Sequence, residues 1–470
     1  MALPSSTVSR LLYVVAAIWC ISIMGGAVYG WPSMRAILLR DGVLRSAACV
    51  AKPAGAGGCH EQELAFNFIF TLGAWSNQGG RLVVGIILDY IGPRWTSTAC
   101  ALTFSVGAVV FGLAETREGM AAGFFLVGLG GAGMQLAVQS VSVLFPKNRS
   151  TVMSSLSGAF QAASGVYLIF DALNRNADIP RQGLLWAHAG AALATAVLSA
   201  LIWPSRPFEQ PSGDAKGAQL ARPTSLLQGK RFREQVLSRE YILMTALFSV
   251  HVVQCQFTVG TVGTQFELKG DTEGSVTRAF NTALACSFIF TPILGQAIDR
   301  AGFPAVLAVV NTSNIATCVC LLFNSLELQY LTCGFYSLGR VGLWATFFSF
   351  MGKIFGFNNY GKLAGFGLMF ASTCSLVQYP LLDLTLGPLR EDFRVVNGLF
   401  AGLGVLAYGL VASLACRLRA LEQQAAQGAK SASEEHGNSE QAEGLEEGSS
   451  APATQAASGP APSSVQSSGE

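Results

Sequence analysis

Stretches of about twenty residues without a single charge recur along this chain, and a bilayer is the solvent that asks for them so often. Leu11 to Met34, Thr96 to Ala114, Gly119 to Phe145 and Val395 to Cys416 are the clearest. A water-soluble protein of 470 residues needs a charged shell around its core, yet 12% of this chain is charged against 51% hydrophobic. Apolar runs and the breaks between them predict twelve spans, near 11–34, 64–88, 96–114, 120–144, 150–173, 183–203, 241–265, 279–298, 304–323, 329–351, 363–386 and 395–416. An even number puts both termini on one side. Lys and Arg counted by loop make that side the cytosol, 17 to 11, with Arg81 and Arg340 inside spans.

Between the sixth and seventh spans, residues 204–240 are rich in Pro, Gly and charge and hold Lys230, Arg231 and Arg233, which reads as a cytosolic linker. The expected domains are therefore 1–203 and 241–416, each a six-helix bundle. A tail at 417–470 of Ala, Ser, Gly, Gln and Glu is expected to be disordered. The first span is too long for a removable signal and lacks a small-residue cleavage site. Near-balanced charge, with basic residues in short loops and the linker, gives nucleic acid no footprint. No phosphate loop, catalytic triad or metal-ligand spacing occurs, so neither an enzyme nor a cofactor is expected.

Cys20, Cys100, Cys255, Cys286, Cys318, Cys320 and Cys374 fall inside spans, where a thiol acts as a small apolar packing residue. Cys49 and Cys59 share the first outer loop and could pair there or stay free. Asn148-Arg149-Ser150 fits a glycosylation sequon but lies on the inner side, so it is expected unmodified.

An internal repeat organises the spans. Gly85, Asp89 and Gly92, followed by Arg94, close the second span; Gly295, Asp299 and Gly302, with Arg300, close the eighth, at an offset of 210. Phe145 and Asn148 recur as Phe355 and Asn358 at the same offset, and Tyr167 and Asp171 as Tyr379 and Asp383 at 212. Four matches in order predict two pseudo-symmetric halves. An Asp where a helix meets the cytosol can accept from the N–H groups of a neighbouring helix start, and the glycines permit close approach and a sharp turn.

The duplicated Gly-x-x-x-Asp-x-x-Gly pattern resembles the loop signature of the major facilitator superfamily. That resemblance implies an all-α membrane protein of twelve transmembrane helices in two six-helix bundles, with the motif holding one gating state and not touching substrate. Further pieces resemble the system-L-like facilitative amino-acid transporters and the apicomplexan amino-acid transporter family. They are Gly30-Trp31-Pro32-Ser33, the Glu63 to Gly73 segment with Phe66, Asn67, Phe70 and Thr71, and Arg149-Ser150-Thr151. Later in the chain come Phe257 to Thr261, Gly361-Lys362-Leu363, and Ser375 to Pro380 with Gln378 and Tyr379. Tyr90 stands where the motif usually has a basic residue, and Pro93 precedes Arg94, which puts a charge relay there in doubt.

Arg340 sits at the centre of the tenth span, where a lone guanidinium costs roughly 2.5–3.5 kcal/mol on insertion scales unless it finds a partner or a wet cavity. Asp383 stands on the order of 13 Å away along the membrane normal at the helical rise, too far for direct pairing. A substrate carboxylate fits the planar fork of donors; carbonyls or tyrosines fixing the bundle are the other reading. The resemblance implies that spans 1, 4, 7 and 10 line a central cavity and 2, 5, 8 and 11 flank it. Tyr29, Gln135, Gln139, Ser164, Tyr167, His251, Gln254, Gln256, Ser375 and Gln378 are then candidates for holding an α-ammonium or side chain, or else interhelical hydrogen bonds. His251 reads as a packed neutral histidine. Tyr29 and Trp31 read as outer-gate aromatics or interfacial anchors. Gly25, Gly26, Gly30, Gly128, Gly130, Gly131 and Gly133 read as sites of close packing or local unwinding.

The resemblance implies a facilitative carrier of free amino acids in the plasma membrane. Few acids at mid-depth argue for neutral, large or aromatic substrates, while Asp171 and Asp383 leave a cationic one open. A proton-coupled monocarboxylate or organic-anion carrier, and a non-transporting sensor, are the alternatives.

Overall fold

The computed structural model describes residues 7–45, 58–145, 149–206, 227, 229–356 and 359–447. Every regular element among them is helical. The first span is broken, α1 (Thr7–Met24) and α2 (Trp31–Arg40) flanking a 3₁₀ turn at Ala27–Gly30. Spans two and three are merged as α3 (His60–Leu113), and α4 (Arg117–Val138) continues as a 3₁₀ segment to Leu144. The fifth span is α5 (Arg149–Ala162) and α6 (Val166–Ala177), the sixth α7 (Arg181–Ile202), and a short α8 (Phe232–Val236) precedes α9 (Arg239–Leu268). The eighth and ninth spans comprise α10 (Ser275–Cys286) and α11 (Phe290–Leu322), and the tenth is α12 (Leu328–Phe355). The eleventh is α13 (Tyr360–Cys374) with α14 (Gln378–Leu386), and α15 (Arg394–Glu447) is the last.

Ten helical segments among the described residues are long and apolar enough to cross a membrane. The rods at the expected second and tenth positions are also of spanning length, but they carry Asn67, Ser76, Asn77, Gln78 and Arg81, and Gln329, Ser337 and Arg340, all buried. Polar groups turned inward lower a helix's apolarity without exposing it to lipid, so hydropathy undercounts the spans that build the interior. The protein is inside-out accordingly. Leu12, Val15, Leu201, Val405 and Leu406 lie on the outside, where lipid covers them, and amides and guanidinium groups lie within. The most apolar stretches of Arg117–Leu144 and Arg239–Leu268 are 72% buried against 28% for Arg394–Leu421, so spans four and seven are central and span twelve peripheral.

The repeat is visible in the backbone. Gly92 has φ 75° and ψ 174°, and Gly302, at the offset of 210, has φ 78° and ψ 169°. Each turns the chain between two spans in a region essentially closed to other residues. The 3₁₀ breaks at Ala163–Gly165 and Ser375–Val377 are related by the other offset, 212. A side chain at Gly92 would run into the Ser205 carbonyl, whereas at Gly302 the first atom met is Pro304 Cδ at 3.8 Å. Gly92→Ala is therefore expected to cost about 1–3 kcal/mol plus a backbone clash, and Gly302→Ala the strain alone. Thermal melting in detergent should rank Gly92→Ala well below Gly302→Ala; equal losses would mean the clash is relieved by movement of the linker.

Residues 1–419 form one compact unit and 420–470 a second. Where the unstructured tail is expected to begin, α15 continues to Glu447; Ala, Glu, Gln and Lys in that stretch are good helix formers. Cys59 is disulfide-bonded; Cys49 lies outside the described residues, as do Asn148 and Asn358. The other nine cysteines are free.

Candidate functional site

Arg340 is 1% exposed on α12. Its Nη1 donates to the Tyr336 hydroxyl one turn earlier at 3.3 Å, and that hydroxyl donates to the Cys255 carbonyl on α9 at 3.0 Å. The guanidinium carbon lies 4.0 Å from the centroid of the Tyr29 ring, in the 3₁₀ turn of the first span. A cation over a buried ring is favourable by about 2 kcal/mol. Nε and Nη2, both buried, have no partner. The arginine is thus held on one edge and one face by tyrosines, with its remaining donors unmade; no carboxylate among the described residues is paired with it.

The acids singled out by the sequence are engaged elsewhere. Asp171 is buried and takes Arg40 Nη2 at 2.5 Å, with Arg175 at 3.7 Å. Asp383, at the equivalent place, is more than half exposed and faces His60 Nε2 at 3.5 Å.

Tyr29 is anchored by Gln78 on α3, whose Nε2 donates to its hydroxyl at 2.9 Å, and its ring lies 6.0 Å from that of Phe160. Gln135 accepts from Arg81 Nη2 at 2.8 Å, and Arg81 packs over Phe160 at 5.0 Å. The structure thus brings Tyr29, Gln135 and Arg340 into one chain of contacts, through Phe160 and Arg81.

Other candidates are occupied locally. Ser164 and Ser375 donate back to the carbonyls of Gln161 and Ser372. Gln254 donates to the Asn314 carbonyl at 2.8 Å and faces His251 Nδ1 at 3.4 Å. Gln139 is half-buried at the start of its 3₁₀ segment. Tyr167 is buried among Phe170 and His188 with its hydroxyl unpartnered. Gln378 is fully buried with both amide atoms unpartnered, and Gln256 keeps an unpartnered Oε1.

Trp31 is fully buried against Phe70 and Phe124, which excludes an interfacial anchor. The α4 glycines serve close approach, since α4 stays helical through them. A side chain at Gly130, the counterpart of Arg340, would come within 2.5 Å of the Cys100 carbonyl and 2.7 Å of Phe104 N. In the loop motifs Arg94 ties α3 to the end of α7, its Nε donating to the Trp203 carbonyl at 2.7 Å. Arg300 is exposed, a side chain at Gly85 would meet Leu136 at 3.5 Å, and Gly295 faces open space. Asp89 and Asp299 lie three residues before the turns at Gly92 and Gly302, and their side chains lie outside the described residues.

At the face opposite the chain's N-terminus stands a group that sequence reasoning missed. Arg35, 2% exposed, donates from Nε and Nη2 to Glu63 and from Nη1 and Nη2 to Glu267, at 2.5 to 3.0 Å. Thr264 donates to Glu63 at 2.9 Å, and nearby Asn281 on α10 donates to Ser33 at 2.7 Å. This triad fastens α2 and α3 to α9. The Lys and Arg count treated Arg35 as a loop charge; its position one turn beyond Trp31-Pro32 was the available signal.

Comparison with known proteins agrees with this architecture. The model of the Major Facilitator Superfamily matches residues 42–379. Amino acid transporter 6-1 of Toxoplasma gondii is 24% identical over 417 residues, covering 79% of this chain and 73% of the relative. Equilibrative nucleobase transporter 1 of Bos taurus is 22% identical over 449 residues, covering 82% and 91%. Among solved structures, a mutant form of the nucleoside transporter NupG superposes with a TM-score of 0.56 at 12% identity, over 86% of this chain and 99% of that one. The repeated glycine turns, the inside-out helical body and a family match across most of the chain lead to one conclusion: this protein belongs to the Major Facilitator Superfamily and is a multi-pass membrane transporter.

Proposed function

We propose that this transporter carries free amino acids, neutral and large or aromatic, by facilitative alternating access. The observation that carries the reading is Arg340, a buried guanidinium with Nε and Nη2 unmade and no acid among the described residues paired with it. A carboxylate supplies two acceptors in the geometry of that fork, and each charge-assisted bond contributes about 1.5–3 kcal/mol. The unpartnered Oε1 atoms of Gln378 and Gln256 are acceptors suited to an α-ammonium. The lack of a described acid paired with Arg340 disfavours cationic substrates. The amino-acid transporter among the relatives supports the same class.

In this reading residues 1–203 and 241–416 are the two moving halves, 204–240 is the linker, and both termini face the cytosol at the plasma membrane. The triad of Arg35, Glu63 and Glu267 closes the outer face and must part when that face opens. A second reading, a nucleobase substrate, is favoured by Gln378, whose free amide offers a donor and an acceptor side by side. It also has a relative of that name.

Competition uptake in expressing oocytes separates these. Labelled tyrosine and leucine should enter and compete with each other, with arginine at least tenfold weaker. Uptake of adenine that tyrosine does not inhibit would replace the first reading by the second, and no amino-acid uptake would remove the first.

A further inference from the structure

Arg81 is a second buried arginine, 9% exposed, on the α3 rod of the second span. Its Nε donates to the Asn77 carbonyl at 3.3 Å and its Nη2 to Gln135 Oε1 at 2.8 Å, so neither partner is anionic. It packs over Phe160, whose ring is 6.0 Å from Tyr29, the ring beneath Arg340. Each guanidinium therefore rests on one member of a single aromatic pair, and no acid among the described residues is ion-paired with either.

Two buried cations bridged by one aromatic pair and lacking a counter-charge are costly, since charges in low dielectric are poorly solvated and like charges repel. Structural packing alone would be served better by a neutral side chain. The two differ in depth. Arg81 lies ten residues from Ile91 at the N-terminal face, about 15 Å at the helical rise, and Arg340 fifteen from Phe355 at that face, about 22 Å.

From this placement we infer that Arg81 is a second carboxylate-binding position, one step nearer the N-terminal face, to which a substrate's carboxylate passes from Arg340 across the Tyr29–Phe160 pair. The inference rests on the reading of Arg340 as a carboxylate site. Gln135 orients the second guanidinium through its Oε1.

Phenylacetate, a carboxylate with a ring and no ammonium, is the probe for purified protein. It should still raise the melting temperature of Arg340→Gln, lose that effect in Arg340→Gln/Arg81→Gln, and keep it in Arg340→Gln/Arg81→Lys, which also controls for folding. Equal stabilisation of Arg340→Gln and Arg340→Gln/Arg81→Gln, or none of Arg340→Gln, overturns the inference. In oriented proteoliposomes, Arg81→Gln should raise KM for tyrosine at least fivefold from the N-terminal face and leave it within twofold from the other. A change equal on both faces assigns Arg81 a structural role and overturns the inference as well. If wild-type protein neither moves nor binds tyrosine or leucine, the amino-acid reading fails, while the phenylacetate series still decides the position at Arg81.

Discussion

Arg340→Gln removes transport while leaving the fold intact: amino-acid uptake is expected to fall at least a hundredfold, with a melting temperature no lower than wild type. Two charge-assisted hydrogen bonds to a carboxylate, at about 1.5–3 kcal/mol each, account for a loss of that size. The stability half of the prediction follows from what the guanidinium lacks. Nε and Nη2 are buried without partners, each a penalty of about 1–3 kcal/mol. The Tyr29 ring and the Tyr336 hydroxyl offset part of this. Arg340→Met, which fills the volume without charge, should melt higher than wild type. An arginine present only to tie the bundle together would behave in the opposite way, its loss lowering the melting temperature and transport together. Uptake normalised to surface expression, paired with melting in detergent, reads both halves.

Arg35→Ala is expected to be the most destabilising single change in the protein. Four hydrogen bonds converge on this buried guanidinium, and its loss leaves Glu63 and Glu267 facing each other with nothing between. Breaking a buried ion pair from one side costs about 3–5 kcal/mol. The protein should reach the membrane poorly and melt several degrees lower, and Arg35→Lys should recover little because an ammonium cannot serve two carboxylates in forked geometry. Glu267→Gln is gentler, since Glu267 is 28% exposed. It should keep the fold and weaken closure of the outer face, read as faster thiol labelling of Ser33→Cys. Unchanged labelling would show that the triad supports the bundle without acting as its outer lock.

Much of the architecture was legible because its causes are local. Charge-free runs of bilayer length mark helices, and Gly92 and Gly302 could be paired from spacing alone, since only glycine takes the backbone turn found there. The candidate site was legible in part. Arg340 stands out because a charge at mid-span is costly, and Tyr29 and Gln135 lie in its chain of contacts. Ser164 and Ser375 instead satisfy themselves within their own helices, an outcome that a polar residue type does not reveal. Arg81 and Arg35 read as a span charge and a loop charge in the sequence because their partners lie far along the chain, Gln135 and Phe160 for one, Glu267 for the other. Contacts between distant spans have no signature in local periodicity.

The central claim is that Arg340 holds the carboxylate of an amino acid. Ligand-induced stabilisation of purified protein tests it, because a ligand that binds only the folded state raises the melting temperature. Tyrosine should stabilise wild type, tyramine, which lacks the carboxylate, should not, and Arg340→Gln should need at least tenfold more tyrosine than wild type for the same rise while still not responding to tyramine. Equal stabilisation by tyrosine and tyramine, or an undiminished response of Arg340→Gln to tyrosine, would contradict the account.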